Sequence, residues 1–87
     1  MKTVTYTITD PIGLHARPAG RLAKIVKAMD SSVTIARADG GRSVSASKLM
    51  AIMSLGVKTH ETLAVTVEGG NAEENAATLE RFFKENL

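Results

Sequence analysis

Gly13-Leu14-His15-Ala16-Arg17-Pro18-Ala19-Gly20 marks the point where a strand pattern gives way to a helical one. Behind it, residues 2–8 alternate: Val4, Tyr6 and Ile8 share one face, and Thr3, Thr5 and Thr7 the other. That is the period of a strand with one buried side. Asp10-Pro11-Ile12-Gly13 reads as a turn. Ahead of it, Ala19, Leu22, Ala23 and Val26 recur at three- and four-residue spacings, which predicts a helix over 16–28, its stripe widened by Ile25 and Met29. Pro18 suits a first turn, where its missing N–H costs nothing.

The same reading carries on toward the C-terminus. Asp30-Ser31-Ser32 ends the helix, and Val33 and Ile35 begin a second strand that runs to about Arg37. Asp39-Gly40-Gly41 signals a hairpin into a short third strand around Arg42 to Val44. Ser45 is placed to cap a short helix from about Ala46 to Met53, closed by Leu55-Gly56. Residues 61–67 alternate again, with Leu63, Val65 and Val67 inward. Gly69-Gly70 break that strand. Asn71-Ala72-Glu73-Glu74 has capping-box spacing and opens a helix with Ala76, Leu79, Phe82 and Phe83 on its buried stripe. The order β-α-β-β-α-β-α, with strands apolar on one face only, gives an α+β fold: an antiparallel sheet backed by helices on one side. The 87 residues are expected to form a single domain around one core.

Composition excludes several function classes. There is no cysteine, so neither a disulfide nor a thiolate site is available. His15 and His60 are the only histidines and neither has companions that would hold a metal; His60 is expected to be an exposed loop residue. No apolar run approaches the roughly 18 residues a membrane span needs, and the start lacks a signal-peptide core. A cytoplasmic protein without membrane insertion is the expectation. A formal charge of +2 with one Tyr, two Phe and no Trp does not describe a nucleic-acid binder. The charges segregate, however. Arg17, Arg21, Lys24 and Lys27 lie in or beside the first helix, a face suited to phosphate or to an acidic protein.

At the head of that helix, His15 sits at or just before the cap. A helix start offers free N–H groups and the positive end of the dipole, which together favour phosphate. Arg17 adds a multi-donor guanidinium. Imidazole is nucleophilic when neutral and titrates near neutrality, which suits transient phosphorylation. From spacing alone two readings stand: a phosphoryl acceptor, or a histidine that merely caps a helix.

Residues 13–19, Gly-Leu-His-Ala-Arg-Pro-Ala, resemble the active-site motif of the HPr family, the histidine-containing phosphocarriers of the bacterial phosphoenolpyruvate-dependent sugar phosphotransferase system. Met53-Ser54-Leu55-Gly56-Val57 resembles that family's stretch at the end of the second helix, and the element order and length agree along nearly the whole chain. The resemblance implies an open-faced β-sandwich of four antiparallel strands with three helices on one face. It implies that enzyme I phosphorylates Nδ1 of His15, with Arg17 assisting, and that the group passes to the A domains of sugar permeases. Such a protein is a carrier with a covalent phosphohistidine, without a cofactor, rather than a stand-alone enzyme. The resemblance further implies that Arg17, Arg21, Lys48, Leu49, Met50 and Met53 meet the partners, with transcriptional or metabolic regulators as further ones, and that a monomer suffices. Methionines fit a surface that serves several partners.

In one place the sequence departs from the family. Members from Gram-positive bacteria carry a regulatory serine at the start of the second helix. Lys48 stands there, and Ser47 precedes it as the candidate for a displaced phosphosite. One residue is a rotation of about 100° on a helix, so Ser47 would face elsewhere. Alternatives to sugar uptake are a phosphocarrier of a nitrogen-related regulatory branch and a regulatory binding protein that transfers nothing.

Overall fold

The computed structural model describes residues 1–87. Its elements are β1 (Lys2–Thr7), α1 (Ala16–Lys27), β2 (Ser32–Arg37), β3 (Ser43–Ser45), α2 (Leu49–Met53), β4 (Thr62–Glu68) and α3 (Ala72–Asn86). The strands form one antiparallel sheet in the order β1-β4-β2-β3. Register brings like to like: Val4 lies opposite Val65, Val65 opposite Ile35, and Ile35 opposite Val44, a β-branched row across all four strands. β-Branched residues pack well on a pleated face. The opposite face carries Thr3, Thr5, Thr7, Thr34 and Thr66, alternating in sequence with those inward residues.

The helices cover the apolar face. Leu22 and Ala23 of α1, Ile52 of α2, and Leu79, Phe82 and Phe83 of α3 join Val33, Ile35, Leu63, Val65 and Val67 in one core of 21 buried residues. Tyr6 of β1 stacks on Phe83 with ring centroids 5.7 Å apart, and Phe82 meets Phe83 edge-on at 5.9 Å, both favourable aromatic geometries. α1 packs beside α2, and α3 packs against β1 and β4. The sheet, the one-sided helices and the element order agree with the reading of the sequence, with most boundaries shifted by one or two residues.

Two local expectations do not hold. The second helix does not start at Ala46 with Ser45 as its cap. Ala46 is fully buried and gives its N–H to the Val33 carbonyl of β2. Ser45 belongs to β3, and its Oγ accepts the Ser47 N–H. The chain stays tied to the sheet through residue 46, and α2 begins only after Lys48, its N-cap. Nor does the capping box at α3 form. Asn71 is the N-cap but makes no side-chain cap bond; its Nδ2 donates to Glu74 at 2.7 Å. Its backbone N–H turns instead to the carboxylate of Asp30, which also accepts Asn75 Nδ2 at 2.7 Å. Glu74, whose carboxylate would accept the Asn71 N–H in a capping box, is engaged by Asn71 Nδ2, so a carboxylate distant in sequence takes that N–H at the helix start. These bonds, that from Asn75 first, hold the Asp30 carboxyl below its usual range.

Candidate functional site

The segment before α1 is built on the loop between α2 and β4. Leu14 N–H donates to the Val57 carbonyl at 3.0 Å, His60 N–H to the Ile8 carbonyl at 2.8 Å, and Ile8 N–H to the Glu61 carbonyl at 2.9 Å. Gly13 makes the close approach. Its φ is +85°, and a Cβ there would stand 2.9 Å from Lys58 Cα and 3.1 Å from Val57 O. Only glycine combines that backbone with that contact. Leu14, Pro18 and Ala19 are buried, which turns His15, Ala16 and Arg17 outward.

His15 is the N-cap of α1, in extended backbone conformation, and its carbonyl accepts the Ala19 N–H. Its side chain makes no cap bond. The ring, whose side chain is 31% exposed, is thus not used to close the helix. Pro18 has no N–H and Ala19's is taken, so the free donors of this helix start are the N–H groups of Ala16 and Arg17. Arg17 is exposed and outside every ion pair of the chain. A cation in the first turn opposes the helix dipole, at a cost of about 0.3–1 kcal/mol. The first turn of α1 holds no acidic residue and Arg17 has no ion-pair partner; an anion bound at the same helix start would offset the cost. Lys24 and Lys27, in the last turn, are on the favourable end.

Asp10 has a place at this site that its turn composition alone did not disclose. Its Oδ1 accepts the Ile12 N–H at 2.8 Å, and its carbonyl accepts the Gly13 N–H at 3.0 Å. Its own N–H donates to the Leu87 carbonyl at 2.7 Å. So held, its Oδ2 lies 4.0 Å from His15 Nε2. A longer-range signal was invisible in the sequence: Arg37 bonds Asp39, Glu61 and the carbonyls of Leu55 and Gly56, fixing the loop on which the His15 segment rests.

The predicted partner face divides. Met50 is 76% exposed, and Leu49 and Met53 are 37% exposed, while Ile52 and Leu55 carry the inward side of α2. Lys48 is exposed at the α2 N-cap. Ile12, 71% exposed, adds an apolar side chain three residues before His15 that sequence reading passed over. Arg21 is exposed but donates to Asn86 Oδ1 at 3.2 Å. Ser47 is half-buried, its Oγ 2.8 Å from Ser45 Oγ. His60 is exposed. No helix is long and apolar enough to cross a membrane.

The family described as the PTS HPr component phosphorylation site matches residues 2–85. The chain is 36% identical over 76 residues to the phosphocarrier protein HPr of Haloferax volcanii, covering 87% of this chain and 85% of that one. It is 40% identical over 72 residues to the multiphosphoryl transfer protein of Vibrio cholerae, covering 82% of this chain but spanning only 18% of that protein's length. Among solved structures, the histidine-containing phosphocarrier protein of Mycoplasma superposes with a TM-score of 0.89 at 26% identity, over 97% of this chain and 93% of the other. Fold, extent of match and the outward histidine at a helix start agree, and the chain belongs to the PTS HPr family of phosphocarriers.

Proposed function

We propose that His15 receives a phosphoryl group on Nδ1 from phosphorylated enzyme I and passes it to the A domain of a sugar permease. The observation that carries this reading is the His15 ring, at the N-cap of α1 yet unused as a cap. In acceptance, the Nδ1 lone pair forms the new N–P bond as the bond from phosphorus to the donor's nitrogen breaks and its electron pair leaves with the donor. Arg17 pairs with the phosphoryl oxygens, and the free N–H groups of Ala16 and Arg17 add donors at the positive end of the helix. The phosphohistidine stays at the surface, where a second protein can reach it.

Docking uses the face beside the site. Leu49, Met50 and Met53 supply apolar contact, and Arg17, Arg21 and Lys48 meet acidic partner surfaces. The 87 residues act as one phosphocarrier unit, a monomer that forms transient complexes in the cytoplasm.

The test is incubation with phosphoenolpyruvate and cognate enzyme I, scored by intact mass. One acid-labile phosphoryl group is expected, absent from His15→Ala. Label persisting in that variant, or no label on the wild type, overturns the reading.

A further inference from the structure

The turn preceding His15 does more than reverse the chain. Asp10 is held at three points: Oδ1 by the Ile12 N–H, the carbonyl by the Gly13 N–H, and the backbone N–H by the Leu87 carbonyl. Its side chain is only 26% exposed. One carboxylate oxygen is thus committed to the turn, and the other, Oδ2, lies 4.0 Å from His15 Nε2. Nε2 is the ring nitrogen that pairs with it, and the His15 side chain has no hydrogen-bond partner.

We propose that Asp10 is a positioning residue for His15: a small rotation of the imidazole closes the 4.0 Å gap so that Oδ2 accepts a hydrogen bond from Nε2–H, which keeps the proton on Nε2 and leaves the Nδ1 lone pair for phosphorus. This rests on the phosphocarrier reading given above and deepens it. As the Nδ1–P bond forms, the ring gains a positive charge while its proton remains on Nε2. Asp10 is the acidic group beside that charge, and the bond between them becomes charge-assisted as it closes from 4.0 Å. The carboxylate also repels the incoming phosphoryl group. That group attaches at the far nitrogen, however, so the repulsion acts over the longer distance and the attraction over the shorter. Orientation by a carboxylate at one imidazole nitrogen, with chemistry at the other, is a general way of fixing a histidine tautomer.

Asp10→Asn separates this role from folding. An asparagine Oδ1 still accepts the Ile12 N–H, so the turn is retained, but Oδ2 is replaced by an amide that donates rather than accepts. Potassium phosphoramidate is the probe, because it phosphorylates histidine without enzyme I. The Nδ1 lone pair attacks phosphorus, the P–N bond of the donor breaks, and its pair departs with ammonia. Wild type is expected to be labelled on Nδ1, assigned by 31P–15N coupling. Asp10→Asn should be labelled about tenfold more slowly, the size expected for one hydrogen bond to a charged group, with an unchanged melting temperature. In long-range 1H–15N spectra at about pH 9, above the ordinary imidazole range, the wild-type proton should reside on Nε2, and the variant should show a larger share of the Nδ1–H form. Labelling of the variant at the wild-type rate or faster overturns the proposal, as does an unlabelled wild type or an unchanged tautomer. Failure of the enzyme I assay with these results intact would instead strike the carrier reading and leave Asp10's role standing.

Discussion

Arg37 and Glu61 form a two-point ion pair, Nη1 to Oε1 at 3.1 Å and Nη2 to Oε2 alongside. Arg37 lies at the end of β2 and Glu61 just before β4, and together they close the loop that carries Val57, the residue beneath Leu14. Glu61 Oε1 also accepts the Lys58 N–H at 2.7 Å. The hydrogen bonds from Arg37, then that from Lys58, hold the Glu61 carboxyl at about 2, below its ordinary 4.5. Arg37 shifts upward for the same reason, its bonds to Glu61 and then Asp39. A carboxyl depressed on folding contributes stability that is present above its unfolded pKa and lost as pH falls through the folded one. Stability should therefore decline between about pH 4.5 and about pH 2. Asp30 and Asp39, both lowered, act in the same direction. Thermal melts across this window should show a smaller decline in Glu61→Gln than in the wild type. At neutral pH that variant should melt about 4 °C lower, a modest loss because both side chains are partly exposed. Parallel pH profiles in the two proteins would count against the pair.

His15→Ala should abolish phosphorylation and leave the fold intact. The side chain makes no cap bond, so the loss in Tm should stay within about 4 °C. Far-UV circular dichroism and a melt, run beside the enzyme I assay, check both halves.

Arg17→Ala should slow phosphoryl transfer by at least about tenfold, the scale of a lost charge-assisted bond. It should not destabilise the protein, because the cation stands at the wrong end of the helix dipole. Single-turnover transfer and calorimetry measure the two. A destabilised variant that transfers at the wild-type rate would contradict the assignment.

Two residues of α2 should behave in opposite ways. Ile52 is fully buried, and Ile52→Ala should cost about 2–5 kcal/mol in denaturant unfolding. Met50 is 76% exposed. Met50→Ala should change stability by less than about 0.5 kcal/mol and raise the apparent KM for the protein partner. Steady-state transfer at varied carrier concentration distinguishes KM from kcat.

Gly13→Ala should cost about 1–3 kcal/mol and impair phosphorylation, because the new methyl would push the His15 segment off Lys58 and Val57. Gly40→Ala is the control. It also has positive φ, but its Cβ would meet nothing within 4 Å, so its loss should be smaller and transfer unaffected.

Periodicity identified the buried faces well because it reports a local geometric fact. Val4, Ile8, Leu63, Val65 and Val67 alternate inward, and Ala19, Leu22, Ala23 and Val26 form the helical stripe as read. Capping was less legible. A capping box forms only if its groups find no partner elsewhere, and the Asn71 N–H goes to Asp30, 41 residues away. The start of α2 lies beyond the expected Ala46 for a similar reason: the Val33 carbonyl takes the Ala46 N–H, and only sheet formation brings them together.

By itself the sequence determined the alternation of strands and helices, the one-sided burial that places the helices on a single face, and the histidine and arginine at a helix start. These depend on residues near one another along the chain. Tertiary structure alone decided that Asp10 Oδ2 would lie near His15 Nε2, that Arg37 would reach Glu61 and brace the loop beneath the site, and that Asp30 would take the Asn71 N–H at the head of α3. Arg37 and Glu61, like Asp30 and Asn71, lie far apart in sequence, and Asp10, though only five residues from His15, is set by its backbone bond to Leu87; such partners become available only once the apolar core has brought distant backbone segments together, and short-range pattern carries no record of those distances.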